Sequence, residues 1–125
     1  GAELQLRIPM IAHDPYWYGP EVTVQVSGTQ TVDVDGSAPV APLVRTLTSA
    51  EGLTLLNATT GDELIVTGSG VIEVDNTEFT CLINGNNRLD AVNREWLLSG
   101  FSLVPGVNEI ITSAPVELIY RPRWY

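Results

Sequence analysis

Apolar and polar residues alternate with a period of two along much of this chain. Glu21-Val22-Thr23-Val24-Gln25-Val26-Ser27 puts its valines on one face and its polar groups on the other. Thr31-Val32-Asp33-Val34-Asp35 repeats the pattern beyond the turn residues Gly28-Thr29. Such alternation predicts strands with one face buried and one wet. Further runs at 43–47, 53–56, 63–67, 71–74, 79–83, 101–104, 109–112 and 116–120 read as strands. Turn signals separate them at Gly36-Ser37, Thr60-Gly61-Asp62, Gly68-Ser69-Gly70, Asn84-Gly85-Asn86, Pro105-Gly106 and Ala114-Pro115. Short strands at such spacing predict an all-β fold, a sandwich or a barrel. Leu89, Val92 and Trp96 fall at helical spacing with Gly100 as a stop, which leaves room for one short helical turn. Segments 10–20 and 38–42, both marked by proline, read as irregular.

The chain has 125 residues, the size of one ordinary domain, and is 44% hydrophobic and 17% charged. It can build one core without a metal or disulfide. The net charge is −9, with six arginines, no lysine and fifteen acids. That sign opposes phosphate backbones and anionic lipid surfaces, so neither nucleic acid nor membrane is expected as a partner. No apolar run approaches the roughly 20 residues of a membrane-spanning helix. The start, Gly1-Ala2-Glu3-Leu4, lacks the basic-then-apolar pattern of a signal peptide; Gly1-Ala2 reads as a cloning remnant, and the chain as a fragment of a longer protein.

Candidate chemistry is sparse. His13 is the lone histidine, in the turn context His13-Asp14-Pro15, and reads as a surface or loop-packing residue rather than a catalytic or zinc-binding one. Cys81 cannot form an intrachain disulfide and shares a face with Phe79 and Ile83, as a small buried hydrophobe would. Residues 64–70 resemble the strand and loop of a dinucleotide site, but the third glycine is replaced by Glu73 and a strand pattern follows instead of a helix. A hairpin is the expectation there. Asp33, Asp35 and Gly36 echo a calcium loop without its distal ligands, so both aspartates read as solvated strand positions. Asn57-Ala58-Thr59 is a glycosylation sequon. No acid pair stands out as a glycosidase couple. These readings predict no enzyme, no cofactor and no metal.

Most aromatics fall in three places: Tyr16-Trp17-Tyr18, Trp96 with Phe101, and 120–125. The first group is the candidate contact for a glycan or a protein partner. Tyr120 and Trp124 are expected to pack, against Trp17. Pro105-Gly106 predicts a type II turn with Asn108 capping it by its side chain. Asn84-Gly85 predicts a two-residue hairpin. Arg121 and Arg123 fall on one side of an extended segment and could pair with acids, while Pro122 between them marks a sheet edge.

Several of these stretches together resemble siphovirus distal tail (Dit-like) and minor tail proteins. Phe101-Ser102-Leu103-Val104-Pro105-Gly106-Val107-Asn108-Glu109-Ile110 is similar to their F-x-L-x-P-G-x-N-x-I signature. Tyr120-Arg121-Pro122-Arg123-Trp124 resembles the ending of minor tail proteins from phages of actinobacteria, and Asp14-Pro15-Tyr16-Trp17-Tyr18 resembles their entry segment. Glu73-Val74-Asp75 followed by Ile83-Asn84-Gly85 is similar to the family's central hairpin.

The resemblance implies an antiparallel β-sandwich, galectin-like or jelly-roll-like, over 14–125. Residues 1–13 would then lead in from a missing N-terminal domain. It implies a structural component of the virion, made in the bacterial cytoplasm, that docks other tail or baseplate proteins at the tail tip. The full-length protein would form a homo-oligomeric ring, with the isolated domain monomeric. The rival expectation is a carbohydrate-binding module that contacts the host cell envelope.

Overall fold

The computed structural model describes residues 17–125. Two antiparallel sheets share one hydrophobic core. The four-stranded sheet runs in the order β3 (Thr29–Val34), β10 (Gly106–Thr112), β5 (Ala50–Asn57) and β6 (Asp62–Gly70). The six-stranded sheet runs β2 (Val22–Val26), β11 (Val116–Tyr120), β4 (Leu43–Thr46), β7 (Ile72–Asp75), β8 (Thr80–Ile83) and β9 (Asn86–Asn87). A two-stranded ribbon joins β1 (Trp17–Tyr18) to β12 (Arg123–Trp124). The sandwich expected from alternation and resemblance is the observed architecture.

The alternation explains the core directly. Val32 and Val34 of β3, Leu53 and Leu55 of β5, Leu64 and Val66 of β6 and Ile110 of β10 are buried from one sheet. Val26, Val44, Ile72, Val74, Cys81, Val116, Leu118 and Tyr120 are buried from the other, and all belong to one cluster. Burying that apolar surface at roughly 25 cal/mol per Å² is the main favourable term. On the outer face of the six-stranded sheet, Arg45 lies opposite both Glu73 and Glu117 and forms an ion pair with Glu117 at 3.5 Å.

The helical turn expected between 88 and 98 is a 3-10 turn at Leu89–Ala91 followed by α1 (Arg94–Ser99). Gly100 ends α1 with φ 73° and donates its N–H to the Trp96 carbonyl. Trp96 is fully buried, its indole Nε1–H donating to Asn76 Oδ1 at 2.6 Å. Asn76 Nδ2 in turn donates to the Pro42 carbonyl at 2.6 Å, so the buried polar atoms are paired.

Two local expectations fail. Gly68-Ser69-Gly70 is no hairpin turn, since β6 runs through all three residues and β7 continues in the other sheet. A Cβ at Gly68 would meet Ile83 Cδ1, so that side-chain end would have to shift. Val71, at the crossing, is clamped on both backbone groups: Asn84 Oδ1 accepts its N–H at 2.9 Å and its carbonyl accepts the Asn84 N–H at 2.9 Å. Residues 101–104 form no strand. Among them Leu103 bridges to Val40, while the Val104 N–H turns to the Asn108 side chain.

The sequon is also overruled, because Asn57 is completely buried. Asp33 is exposed on the outer face of β3, with Asp35 exposed just beyond the strand's end, as expected of solvated strand positions. Among the described residues no group of three or more His, Cys, Asp or Glu could hold a metal ion. His13 lies outside the described residues.

Candidate functional site

Two constellations gather the residues singled out in the sequence. The first is a buried polar knot under the Pro105-Gly106 turn. Gly106 has φ 93°, the left-handed value the third residue of a type II turn requires. Asn108 then faces inward from β10. Its Oδ1 accepts the Val104 N–H at 2.9 Å and the Asn57 Nδ2–H at 3.1 Å. Its Nδ2 donates to the carbonyls of Val104 (2.8 Å), Gly106 (3.1 Å) and Val32 (3.2 Å). Asn57 extends the knot, donating to the Ser102 carbonyl at 2.9 Å and accepting the Thr59 N–H at 3.0 Å. One amide thus ties the turn, β3 and β5 together. The capping role of Asn108 was legible in sequence; Asn57 as its partner was not, because 51 residues separate them.

The second constellation is the terminal ribbon. Trp17 lies directly opposite Trp124, and Tyr18 opposite Arg123. Residues directly opposite in a ladder share a face. The ribbon is anchored by Gly19 N–H donating to the Pro122 carbonyl at 2.7 Å, and by Ser37 and Ala38 N–H groups donating to the Arg123 carbonyl at 3.0 and 3.2 Å. Gly36, with φ 113°, passes so close to this carbonyl that a Cβ would sit 2.5 Å from it.

The arginines are turned to backbone carbonyls: Arg121 Nε–H donates to Gly19 at 2.9 Å and Arg123 Nε–H to Pro39 at 2.6 Å. Arg121 also lies over the Tyr18 ring, 5.9 Å from its centroid. Each side chain therefore fastens the chain end to a distant loop.

Tyr120 is buried, and Trp124 lies opposite Trp17 as expected, but it is only partly covered. The Trp124 indole rests against Gly19 but remains 38% exposed, and Trp17 is 75% exposed. The reason is position. Tyr120 ends β11 within the large sheet, whereas Trp124 sits on a two-residue ribbon beyond it, with too little neighbouring structure to cover an indole. Tyr16, the third member of the N-terminal aromatic group, lies outside the described residues.

Behind the ribbon lies an open cleft of about 420 Å³ lined by Tyr18, Val40, Ala41, Thr77, Arg121 and Arg123. Thr77 belongs to the turn between β7 and β8, where Asp75 Oδ1 accepts its N–H at 2.9 Å. Nothing in the local sequence marks Thr77, Val40 or Ala41 as neighbours of the chain end. Cys81 is buried in the core, and burial pushes its thiol pKa up.

The family described as siphovirus-type tail component, C-terminal domain, matches residues 35–124. No curated protein matches the chain. Among solved structures, the crystal structure of SPP1 Dit (gp 19.1), described as a paradigm of the hub adsorption apparatus in phages infecting Gram-positive bacteria, is similar with a TM-score of 0.72 and 23% identity. The match covers 90% of this chain and 50% of that one, so the chain spans half the length of that protein. At that identity the likeness speaks for the shared fold.

Proposed function

This chain belongs to the siphovirus-type tail component family, as its C-terminal domain, and from that premise we propose that it docks a neighbouring tail or baseplate protein at the phage tail tip. The role is structural and non-catalytic. The observation that carries the docking reading is the ribbon, which holds Trp17 directly opposite Trp124, the first largely in solvent and the second partly so. Exposed tryptophans are costly to leave wet and are the residues most enriched among interface anchors. The sandwich does not need them, since its core closes on Trp96, Phe101 and the strand aliphatics. The charge of −9 favours a partner whose contact face is basic, because like charge across an interface is penalised.

The test is photo-crosslinking in assembled particles. A photoreactive residue in place of Trp17 should give a specific adduct with one other tail protein. The same residue in place of Thr31, exposed on the edge strand β3, serves as control. Equal and non-specific adducts from both positions would remove the ribbon as the docking face.

A further inference from the structure

The sandwich leaves one sheet edge without a guard. β2 and β3, joined by Ser27-Gly28, are the outermost strands of their two sheets on the same side of the core. In an antiparallel ladder the backbone groups of successive residues point alternately toward and away from the neighbouring strand. Gly28 faces β10, because its carbonyl accepts the Thr112 N–H at 2.9 Å. In the observed register Gln30, Val32 and Val34 then bond to β10, while Thr29, Thr31 and Asp33 turn their N–H and C=O groups outward. Glu109, directly opposite Thr31, agrees with this phase. Its N–H donates to Thr59 Oγ1 at 2.9 Å and its carbonyl accepts the Ala58 N–H at 2.8 Å, both from the segment that follows β5. Among the described residues nothing pairs with the outward groups of β3.

The adjacent edge is covered. Gln30 Nε2 donates to the Gln25 carbonyl at 3.0 Å, so a side chain of β3 caps β2 while β3 itself stays open. Between the two edges Val22 and Val24 pack on the core but are only half-buried. Open edges are ordinarily blunted by lysine, proline or a bulge. β3 has none of these: it reads Thr-Gln-Thr-Val-Asp-Val, and its register with β10 is unbroken.

We propose that the β3 edge receives an extended segment of another protein, added as a further strand of the four-stranded sheet, in which apolar residues alternate with lysine or arginine. Backbone hydrogen bonds to Thr29, Thr31 and Asp33 supply the attachment, the mode by which peptides add to exposed sheet edges. Successive side chains of the added strand leave it on opposite faces. Those facing inward meet the opening beside Val22 and Val24, which selects apolar residues. Those facing outward lie beside Thr29, Thr31 and Asp33, with Glu109 opposite Thr31 and Asp35 just beyond the strand, which selects cations. A second copy of this chain would bring its own Asp33 and a net charge of −9 to the same edge, so it is the disfavoured occupant. The contact uses no ribbon side chain and stands whether or not the ribbon holds a partner.

The experiment follows amide hydrogen exchange residue by residue, in the chain alone and in assembled phage tails, with a photoreactive residue at Thr31 in a parallel preparation. In the chain alone Thr29, Thr31 and Asp33 should exchange fast, and Gln30, Val32 and Val34 slowly. In tails the three fast amides should slow by roughly tenfold or more, the worth of a hydrogen bond each. The Thr31 adduct should map to a segment of another tail protein with the alternating apolar and basic pattern. Asp33→Lys should lose most of the slowing, with slow exchange at Gln30, Val32 and Val34 showing that β3 still pairs with β10. Thr29, Thr31 and Asp33 already protected in the chain alone, or no slower in tails, would overturn the proposal. So would an adduct to another copy of this chain or to a segment without basic residues, or full slowing in Asp33→Lys. A mapped adduct from Trp17 with none from Thr31 would remove the added strand and leave the ribbon docking intact; the reverse result would remove the ribbon and keep the strand.

Discussion

Replacing Asn108 by alanine should be the most damaging polar substitution in the sandwich. The side chain is 0% exposed. It accepts from Val104 and Asn57 and donates to Val104, Gly106 and Val32. Alanine removes every one of these contacts and leaves the Val104 N–H without the acceptor it now has. A typical hydrogen bond contributes about 1 kcal/mol net, and a buried polar group left bare costs about 1–3 kcal/mol. The expected loss is therefore about 3–5 kcal/mol, a large share of the roughly 5–15 kcal/mol that holds such a domain together. Urea unfolding followed by tryptophan fluorescence measures it, because Trp96 is buried in the native core.

Asn108→Asp sharpens the test. One carboxylate oxygen can still accept from Val104 and Asn57. The other faces three carbonyl oxygens that now receive N–H bonds, so the ionised form is disfavoured and the folded pKa rises above the ordinary value of about 3.9. A raised pKa means that stability is retained below about pH 4 and lost as pH climbs through the folded value. This variant should lie near wild type at pH 4 and well below it at pH 7. A loss under 1 kcal/mol for Asn108→Ala, or a flat pH profile for Asn108→Asp, would refute the view of this amide as the tie between turn and sheets.

Other substitutions probe the remaining features. Trp124→Ala should cost about 1–2 kcal/mol in urea unfolding rather than the roughly 3–5 kcal/mol of a buried tryptophan, because the indole is 38% exposed; a loss above 3 kcal/mol would contradict its place on the ribbon. Gly106→Ala should cost about 1–2 kcal/mol from left-handed backbone alone, since nothing lies within 4 Å of the added Cβ. Gly36→Ala should cost clearly more, because its Cβ would meet the Arg123 carbonyl at 2.5 Å, and equal melting points for the two variants would count against that clash. The raised pKa of buried Cys81, caused first by desolvation, means that its neutral thiol supports folding up to the unfolded thiol's range near pH 8.5, and that this support fades as pH rises through the folded value. Unfolding midpoints between pH 7 and 10 should fall less steeply for Cys81→Ala than for wild type; parallel slopes would show the thiol to be uninvolved.

What the sequence determined by itself were the features whose physics is local. Alternation at 21–27 and 31–35 marked strands because side chains leave a strand on opposite faces. Asn84-Gly85 marked the two-residue turn between β8 and β9 because both residues accept positive φ, observed at 52° and 81°. Pro105-Gly106-Asn108 marked a capped turn because proline fixes a negative φ, Gly106 accepts the positive φ observed at 93°, and an asparagine side chain can bond to nearby backbone. The order of these stretches, matched to a family pattern, pointed to a phage tail component before any pairing was known.

The tertiary structure decided which pieces meet. β2 and β3 look like a hairpin in sequence, yet they belong to different sheets, as do β6 and β7. Pairing is chosen by burial across the whole sandwich, and two residues of connecting chain say nothing about which sheet a strand joins. The same holds for Asn57, an exposed-looking sequon that burial turned into the partner of Asn108, and for Trp124, an expected core residue left half in solvent. Above all, the cleft brings together residues 18, 40, 77 and 121. Contacts so distant along the chain cost loop-closure entropy that only the completed core can offset, and for that reason no local pattern announced them.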